Sequence, residues 1–179
     1  MNVELQKRLL SSMIMLPTAL FFIFKGSIFF TFFLFIVFIA TSNEWLDMCK
    51  KKKLMKFLGL AFLIISFYLA YRLRINEGAY IFIFVVLISV CTDIGGYIFG
   101  KLLKGPKLTK ISPNKTFSGV VGGFIISLIA ALIFYEHMPV NFASNFKSTF
   151  GEFISFDLYL FFIILMISMI SQIGDLIIS

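Results

Sequence analysis

Charge is scarce in this sequence. Only 14% of its 179 residues are Asp, Glu, Lys or Arg, and they stand in clusters rather than scattered. Histidine occurs once, at His137, outside any Cys, His or His-Glu-x-x-His context. That argues against an imidazole-based zinc site, and His137 is expected to be an ordinary loop residue. The two cysteines, Cys49 and Cys91, are far apart and form neither a Cys-x-x-Cys pair nor a disulfide framework. Both are expected as small, semi-apolar residues at or near helix ends. There is no soluble domain, no long linker and no clear internal repeat. The basic pair Lys7-Arg8 and the apolar run after it resemble a signal peptide, but no small-residue cleavage site follows. The N-terminus is therefore expected to be an uncleaved first anchor.

Apolar surface is what the chain has in abundance. Hydrophobic residues make up 60% of it, 25 of them phenylalanine, and mean hydropathy is +1.00. A soluble domain is roughly 45–50% apolar, so one globular core cannot absorb the excess and lipid must cover much of it. A spanning helix needs about 20 apolar residues, sometimes fewer. Six segments qualify or nearly do: 9–24, 27–40, 54–71, 79–103, 118–135, and 157 to the C-terminus. The first two are short, and their ends are expected to extend into flanking residues; one long span with a re-entrant piece is the alternative. The expected fold is all-α, a polytopic transmembrane helix bundle forming a single integral membrane domain over 1–179. Its N-terminal spans lie at 9–71 and its site-bearing half at 79–179.

Lys and Arg orient the bundle. With the N-terminus cytoplasmic, the cytoplasmic segments hold 12 Lys and Arg and the outer segments 4, as the positive-inside rule requires. The net charge of +7 flanks apolar spans, which argues against nucleic acid as a partner. The run Lys50–Lys53 is read as a topogenic signal, Lys56 as able to snorkel, and Trp45 as an interfacial anchor. Thirteen lysines against three arginines hint at an AT-rich bacterial genome.

Carboxylates within a span are costly and call for a reason. On the fourth span Ser89, Thr92, Asp93, Gly96, Tyr97 and Gly100 share one helical face. The Gly96/Gly100 pair permits close helix contact. On the sixth, Ser168, Ser171, Gln172, Asp175 and Ser179 repeat the pattern. Two such stripes facing each other would form a polar cleft whose carboxylates, Asp93 and Asp175, can hold Mg²⁺ through oxygen ligands and water. The alternative is hydrogen bonding for packing alone. Between the fourth and fifth spans lies Lys101–Thr116, with five lysines and with Pro106 and Pro113, which keep it out of a regular helix. Residues 112–116 are expected to start the next helix with free N–H groups, a ready phosphate site. Gly119, Gly122 and Gly123 follow.

The runs Asp93-Ile-Gly-Gly-Tyr-Ile-Phe-Gly-Lys101, Lys110-Ile-Ser-Pro-Asn-Lys-Thr-Phe-Ser-Gly-Val-Val-Gly-Gly123 and Ser171-Gln-Ile-Gly-Asp-Leu176 resemble the bacterial phosphatidate cytidylyltransferases, or CDP-diacylglycerol synthases. The resemblance implies a Mg²⁺-dependent, multi-pass enzyme of the bacterial inner (cell) membrane, with its active side cytoplasmic. It would transfer a cytidylyl group from CTP to phosphatidic acid, releasing pyrophosphate. It implies catalytic roles for Asp93, Lys115 and Asp175, with Asp93 and Asp175 on the metal. It implies phosphate contacts from Lys110, Ser112, Asn114, Lys115, Thr116 and Gly119. CTP, phosphatidic acid and membrane lipids are the expected partners, with a homodimer as a further expectation. Two departures stand out: Ser118 occupies a place where the family carries Glu, and the chain stops at Ser179, where the family's longer acidic and Gly-rich signature begins. The isolated chain is thus expected to be weakly active or inactive. A small transporter or channel with intramembrane carboxylates is the competing class, disfavoured because the polar stripes cluster at one end of their spans.

Overall fold

The computed structural model describes residues 3–49, 53–103, 105–107, 115–137 and 156–178; at 3–12, 27, 156–157 and 176–178 it describes the backbone alone. Among the described residues the chain forms six helices: α1 (Val3–Lys25), α2 (Ser27–Met48), α3 (Lys53–Asn76), α4 (Ala79–Leu103), α5 (Phe117–Glu136) and α6 (Phe156–Ile178). Five stretches are long and apolar enough to cross a membrane: Ile28–Met48, Lys53–Asn76, Ala79–Leu103, Phe117–Glu136 and Leu158–Asp175. Met13–Lys25 of α1 is a shorter apolar helix. The fold is the expected all-α, polytopic membrane bundle. The lysine run 50–52, the segment 108–114 and the connector 138–155 lie outside the described residues. The backbone divides into two compact units, Met1–Phe82 and Ile83–Ser179.

In the first unit the short second segment proves to be a full-length helix that continues to Met48. Trp45 therefore sits on a helix, and its indole donates from Nε1 to Met55 O at 3.3 Å. The indole lies against Gly59 of α3, where a side chain would collide with the ring. Phe38 and Phe67 join α2 to α3 edge to face, 5.3 Å between centroids. The break between α1 and α2 falls at Gly26, whose φ of 63° suits glycine. Arg74, which charge counting treats only as an outer-side cation, fastens that turn. Its Nε and Nη2 donate to Ile23 O at 2.8 and 2.6 Å. A guanidinium over the last carbonyls of α1 is favoured by hydrogen bonding and by the helix dipole together.

In the second unit α5 runs antiparallel to α4, and α6 returns alongside both. Between apolar helices in lipid there is no hydrophobic drive, so contact must come from close packing and hydrogen bonds. Glycine supplies the closeness. A Cβ on Gly95 would stand 2.7 Å from Gly122 O and 2.9 Å from Gly123 Cα; one on Gly123 would stand 2.7 Å from Thr92 O; and one on Gly119 would stand 2.8 Å from Gly96 O. Phe99 of α4 rests directly on Gly122. Below this crossing a small core of Phe84, Ile88, Ala131, Leu160 and Ile164 fills the unit. Cys91 lies inside α4 rather than near an end, while Cys49 follows the last turn of α2, and neither is in a disulfide.

Ala at Gly95 is expected to cost about 1–3 kcal/mol, because the added methyl meets backbone that cannot yield. Ala at Gly174, where nothing lies within 4 Å, is expected to leave stability within about 0.5 kcal/mol of the parent. Thermal unfolding of the two variants in the same detergent checks this. Equal losses would remove the glycine contact as the basis of the crossing.

Candidate active site

The two polar stripes do face each other, and they lie alongside the glycine crossing, with Thr92 and Gln172 both against Gly123. Thr92 is fully buried and donates to Ile88 O at 2.8 Å, with Ser168 Oγ 3.1 Å away on α6. Gln172, one turn further along α6, donates from Nε2 to Ser168 Oγ and to Val120 O, both at 3.3 Å. Val120 is on α5, so one amide ties two helices into a seam already joined to α4. Ser89, the first member of the α4 stripe, donates to Val85 O of its own helix and takes no part in the seam.

Toward the ends of the helices this seam opens into a cleft of about 270 Å³. Asp93 and Tyr97 of α4, Lys115 and Thr116 at the head of α5, and Asp175 of α6 are among its lining residues. Asp93 Oδ1 accepts a hydrogen bond from Ser171 Oγ at 3.2 Å. Lys115 Nζ pairs with Asp175 Oδ2 at 2.9 Å. The three residues expected to carry catalysis therefore converge on one cleft from three separate segments. Lys110, Ser112 and Asn114 lie outside the described residues.

The head of α5 shows a feature that spacing along the chain did not reveal. Thr116 is the N-cap, and its Oγ1 accepts from Gly119 N at 3.2 Å. Phe117 N donates to Pro106 O at 3.0 Å, and an isolated antiparallel bridge joins Lys107 to Thr116. Ser118 Oγ accepts from Gly105 N at 3.2 Å and shares a hydrogen bond with Thr116 Oγ1 at 3.0 Å. A Cβ on Gly105 would stand 2.8 Å from Ser118 Oγ, so glycine is needed there. Residues 105–107 are thus clamped onto the first turn of α5. The available signal was Gly105-Pro106 after a helix end, paired with a hydroxyl in the next helix's first turn. The clamp also revises the expected row of free N–H groups. Among the described residues, only Ser118 N of the first three amides takes no partner, so positive charge at this end comes chiefly from Lys115 and the helix dipole.

No group of three or more His, Cys, Asp or Glu side chains that could hold a metal occurs among the described residues. The cleft offers two carboxylates, hydroxyls and an amide, all hard oxygen donors with no imidazole or thiolate. This donor set fits Mg²⁺, which commonly takes one or two protein carboxylates and completes its shell with water and substrate phosphates. Asp93 and Asp175 are the residues that would hold it.

A model of the cytidylyltransferase family matches residues 54–179, from α3 through α6 and on to the last residue. The chain belongs to that family. Among individual proteins, the phosphatidate cytidylyltransferase of Staphylococcus saprophyticus is 38% identical over 122 residues, covering 67% of this chain and 41% of the relative. That of Staphylococcus aureus is 34% identical over 121 residues, again 67% of this chain and 41% of the relative. That of Chlamydia muridarum is 44% identical over 64 residues, 35% of this chain and 21% of the relative. The aligned part of this chain thus spans less than half the length of these relatives. No solved structure matches.

Ser118→Ala removes the acceptor for Gly105 N. Amide exchange at Gly105 is expected to rise by roughly fivefold, in line with the loss of one hydrogen bond worth about 1 kcal/mol. Gln172→Leu removes one interhelical hydrogen bond, to Val120 O, and one within α6, to Ser168 Oγ, and its expected cost in detergent is about 1–2 kcal/mol. An unchanged exchange rate at Gly105, or an unchanged melting temperature for Gln172→Leu, would count against these bonds.

Proposed function

We propose that this chain forms part of a membrane-embedded phosphatidate cytidylyltransferase that transfers the cytidylyl group of CTP to phosphatidic acid. The observation that carries this reading is the convergence of Asp93, Lys115 and Asp175 on one cleft at the end of the glycine crossing. In the reaction a phosphate oxygen of phosphatidic acid attacks the α-phosphorus of CTP. The new P–O bond gives CDP-diacylglycerol, and the bond to the β-phosphate breaks to release pyrophosphate. There is little covalent chemistry for the protein to do beyond positioning and charge stabilisation.

Lys115 supplies a mobile positive charge to a phosphate oxygen, and the positive end of the α5 dipole lies behind it. Lys110, Ser112, Asn114, Thr116 and Gly119 are the further phosphate contacts of this reading. Bound at Asp93 and Asp175, Mg²⁺ would offset triphosphate charge. Asp93 is oriented by Ser171, and the Gln172 seam closes the cleft toward the core. A cleft at a helix end lets a soluble nucleotide meet a lipid held in the bilayer. The clustering of Lys and Arg supports a cytoplasmic face for it, and the bacterial relatives fit a place in the bacterial inner (cell) membrane.

The test uses membranes carrying this chain, and membranes carrying a chimera extended by the remainder of the S. saprophyticus relative, given labelled CTP and phosphatidic acid. CDP-diacylglycerol is expected from the chimera. Asp93→Asn and Lys115→Ala, made in the chimera, are each expected to lower turnover at least about tenfold. Full rates in both variants would remove these residues from the site, and no product from the chimera would overturn the activity.

A further inference from the structure

Asp175 faces two demands. Its Oδ2 is 2.9 Å from Lys115 Nζ, and cytidylyl transfer asks the same carboxylate to help hold a divalent cation. Asp93 is placed differently. Its Oδ1 takes a neutral donor, Ser171 Oγ, and among the described residues no cation pairs with it. The two carboxylates of the cleft are therefore unequal: Asp175 is in direct contact with Lys115, whereas Asp93 feels that ammonium without a direct ion pair. The Lys115–Asp175 pair is also easily remade. The two side chains are 27% and 50% exposed, and exposed pairs contribute little net stability.

We propose that Lys115 and Asp175 form a charge-exchange pair that couples cation binding to nucleotide binding, an inference that rests on the proposed nucleotide site. While Lys115 holds Asp175, a divalent cation has only Asp93 and competes poorly with the ammonium for the second carboxylate. A triphosphate draws Lys115 onto its own oxygens. Asp175 is then released to the cation that the triphosphate carries, and each ligand strengthens the other. Such coupling is reciprocal by thermodynamic necessity. It also disfavours a cation settling between the two carboxylates without substrate.

The experiment titrates Mn²⁺ into the purified full chain in lipid nanodiscs, following free Mn²⁺ by electron paramagnetic resonance. The titration is done with and without a CTP analogue carrying a methylene bridge between the α- and β-phosphorus. In the parent chain the analogue is expected to tighten Mn²⁺ binding at least about tenfold. Lys115→Met should by itself bind Mn²⁺ about fivefold tighter than the parent, the upper range for releasing an exposed pair, and the analogue should then add less than about twofold. Asp175→Asn should bind Mn²⁺ alone within about twofold of the parent and show no response to the analogue. Lys115→Gln provides a second variant of the same kind. A gain of affinity in Lys115→Met cannot be produced by a misfolded site. Equal Mn²⁺ affinity in parent, Lys115→Met and Lys115→Gln overturns the exchange even where the analogue binds. Tighter binding in both variants with no analogue effect in the parent supports the competition for Asp175 and overturns the nucleotide site beneath it.

Discussion

The contact between α4 and α5 is a backbone contact, and the rest of the second unit depends on it. Gly95 and Gly96 on one helix meet Gly119, Gly122 and Gly123 on the other so closely that several added methyl groups would fall within 3 Å of main-chain atoms. In a lipid environment, where one apolar side chain is as well solvated as the next, such proximity replaces the hydrophobic effect as the source of cohesion. Once the two backbones are that close, Thr92 is pressed into the interior and needs a partner. Ser168 on α6 supplies one, and Gln172 extends the seam to a carbonyl of α5. The glycines thus determine the polar seam, and the seam aligns α6 so that Asp175 comes to the same cleft as Asp93.

The site is built at the end of this crossing for a physical reason. Deep in the span, polar groups must satisfy one another, and Thr92, Ser168 and Gln172 do so. Near the helix ends the requirement relaxes, because water can reach the charges. There the pattern changes from mutual satisfaction to exposed charge: Asp175 and Lys115 pair while remaining partly open, and Asp93 keeps one oxygen unengaged. Beside the cleft, residues 105–107 are clamped onto the first turn of α5 through Ser118, Pro106 and Lys107. Ser118, a departure from the family pattern, has a place in this clamp, and the Gly105 beside it leaves just enough room for the hydroxyl. The second unit thus separates a closely packed, internally satisfied frame from partly exposed charges along the length of its helices.

Much of this could be read from the residues alone. Six apolar segments became six helices, and the break at Lys25-Gly26 is where the backbone turns. The stripes on α4 and α6 were legible because polar side chains at helical spacing, in a span otherwise suited to lipid, must face protein or water to be satisfied. Thr116 was placed correctly near the head of α5. Several features escaped the pattern. Gly95 lies outside the spaced glycine pair, yet a Cβ there would stand 2.7 Å from main chain, as close as at Gly123. Arg74 was counted as a charge when it is also a cap for α1. Trp45 was read as an interfacial anchor when its ring also covers Gly59. At the head of α5 the clamp takes the amide of Phe117 and the Thr116 cap takes that of Gly119. Apart from that cap, each of these is a contact between segments distant in sequence, which periodicity does not report.

Composition, apolar run lengths and charge clustering determined that the chain is a membrane helix bundle, because a helix in hydrocarbon satisfies its own backbone and little else can. Residue order along α4, α5 and α6 determined which chemistry was available: two carboxylates, a lysine and the hydroxyls beside them. Only the tertiary structure decided that these belong to one cleft. It also decided that Asp93 is left open while Asp175 is paired with Lys115. That asymmetry comes from how three helices meet around a backbone contact only glycine permits, and no single helix carries the information.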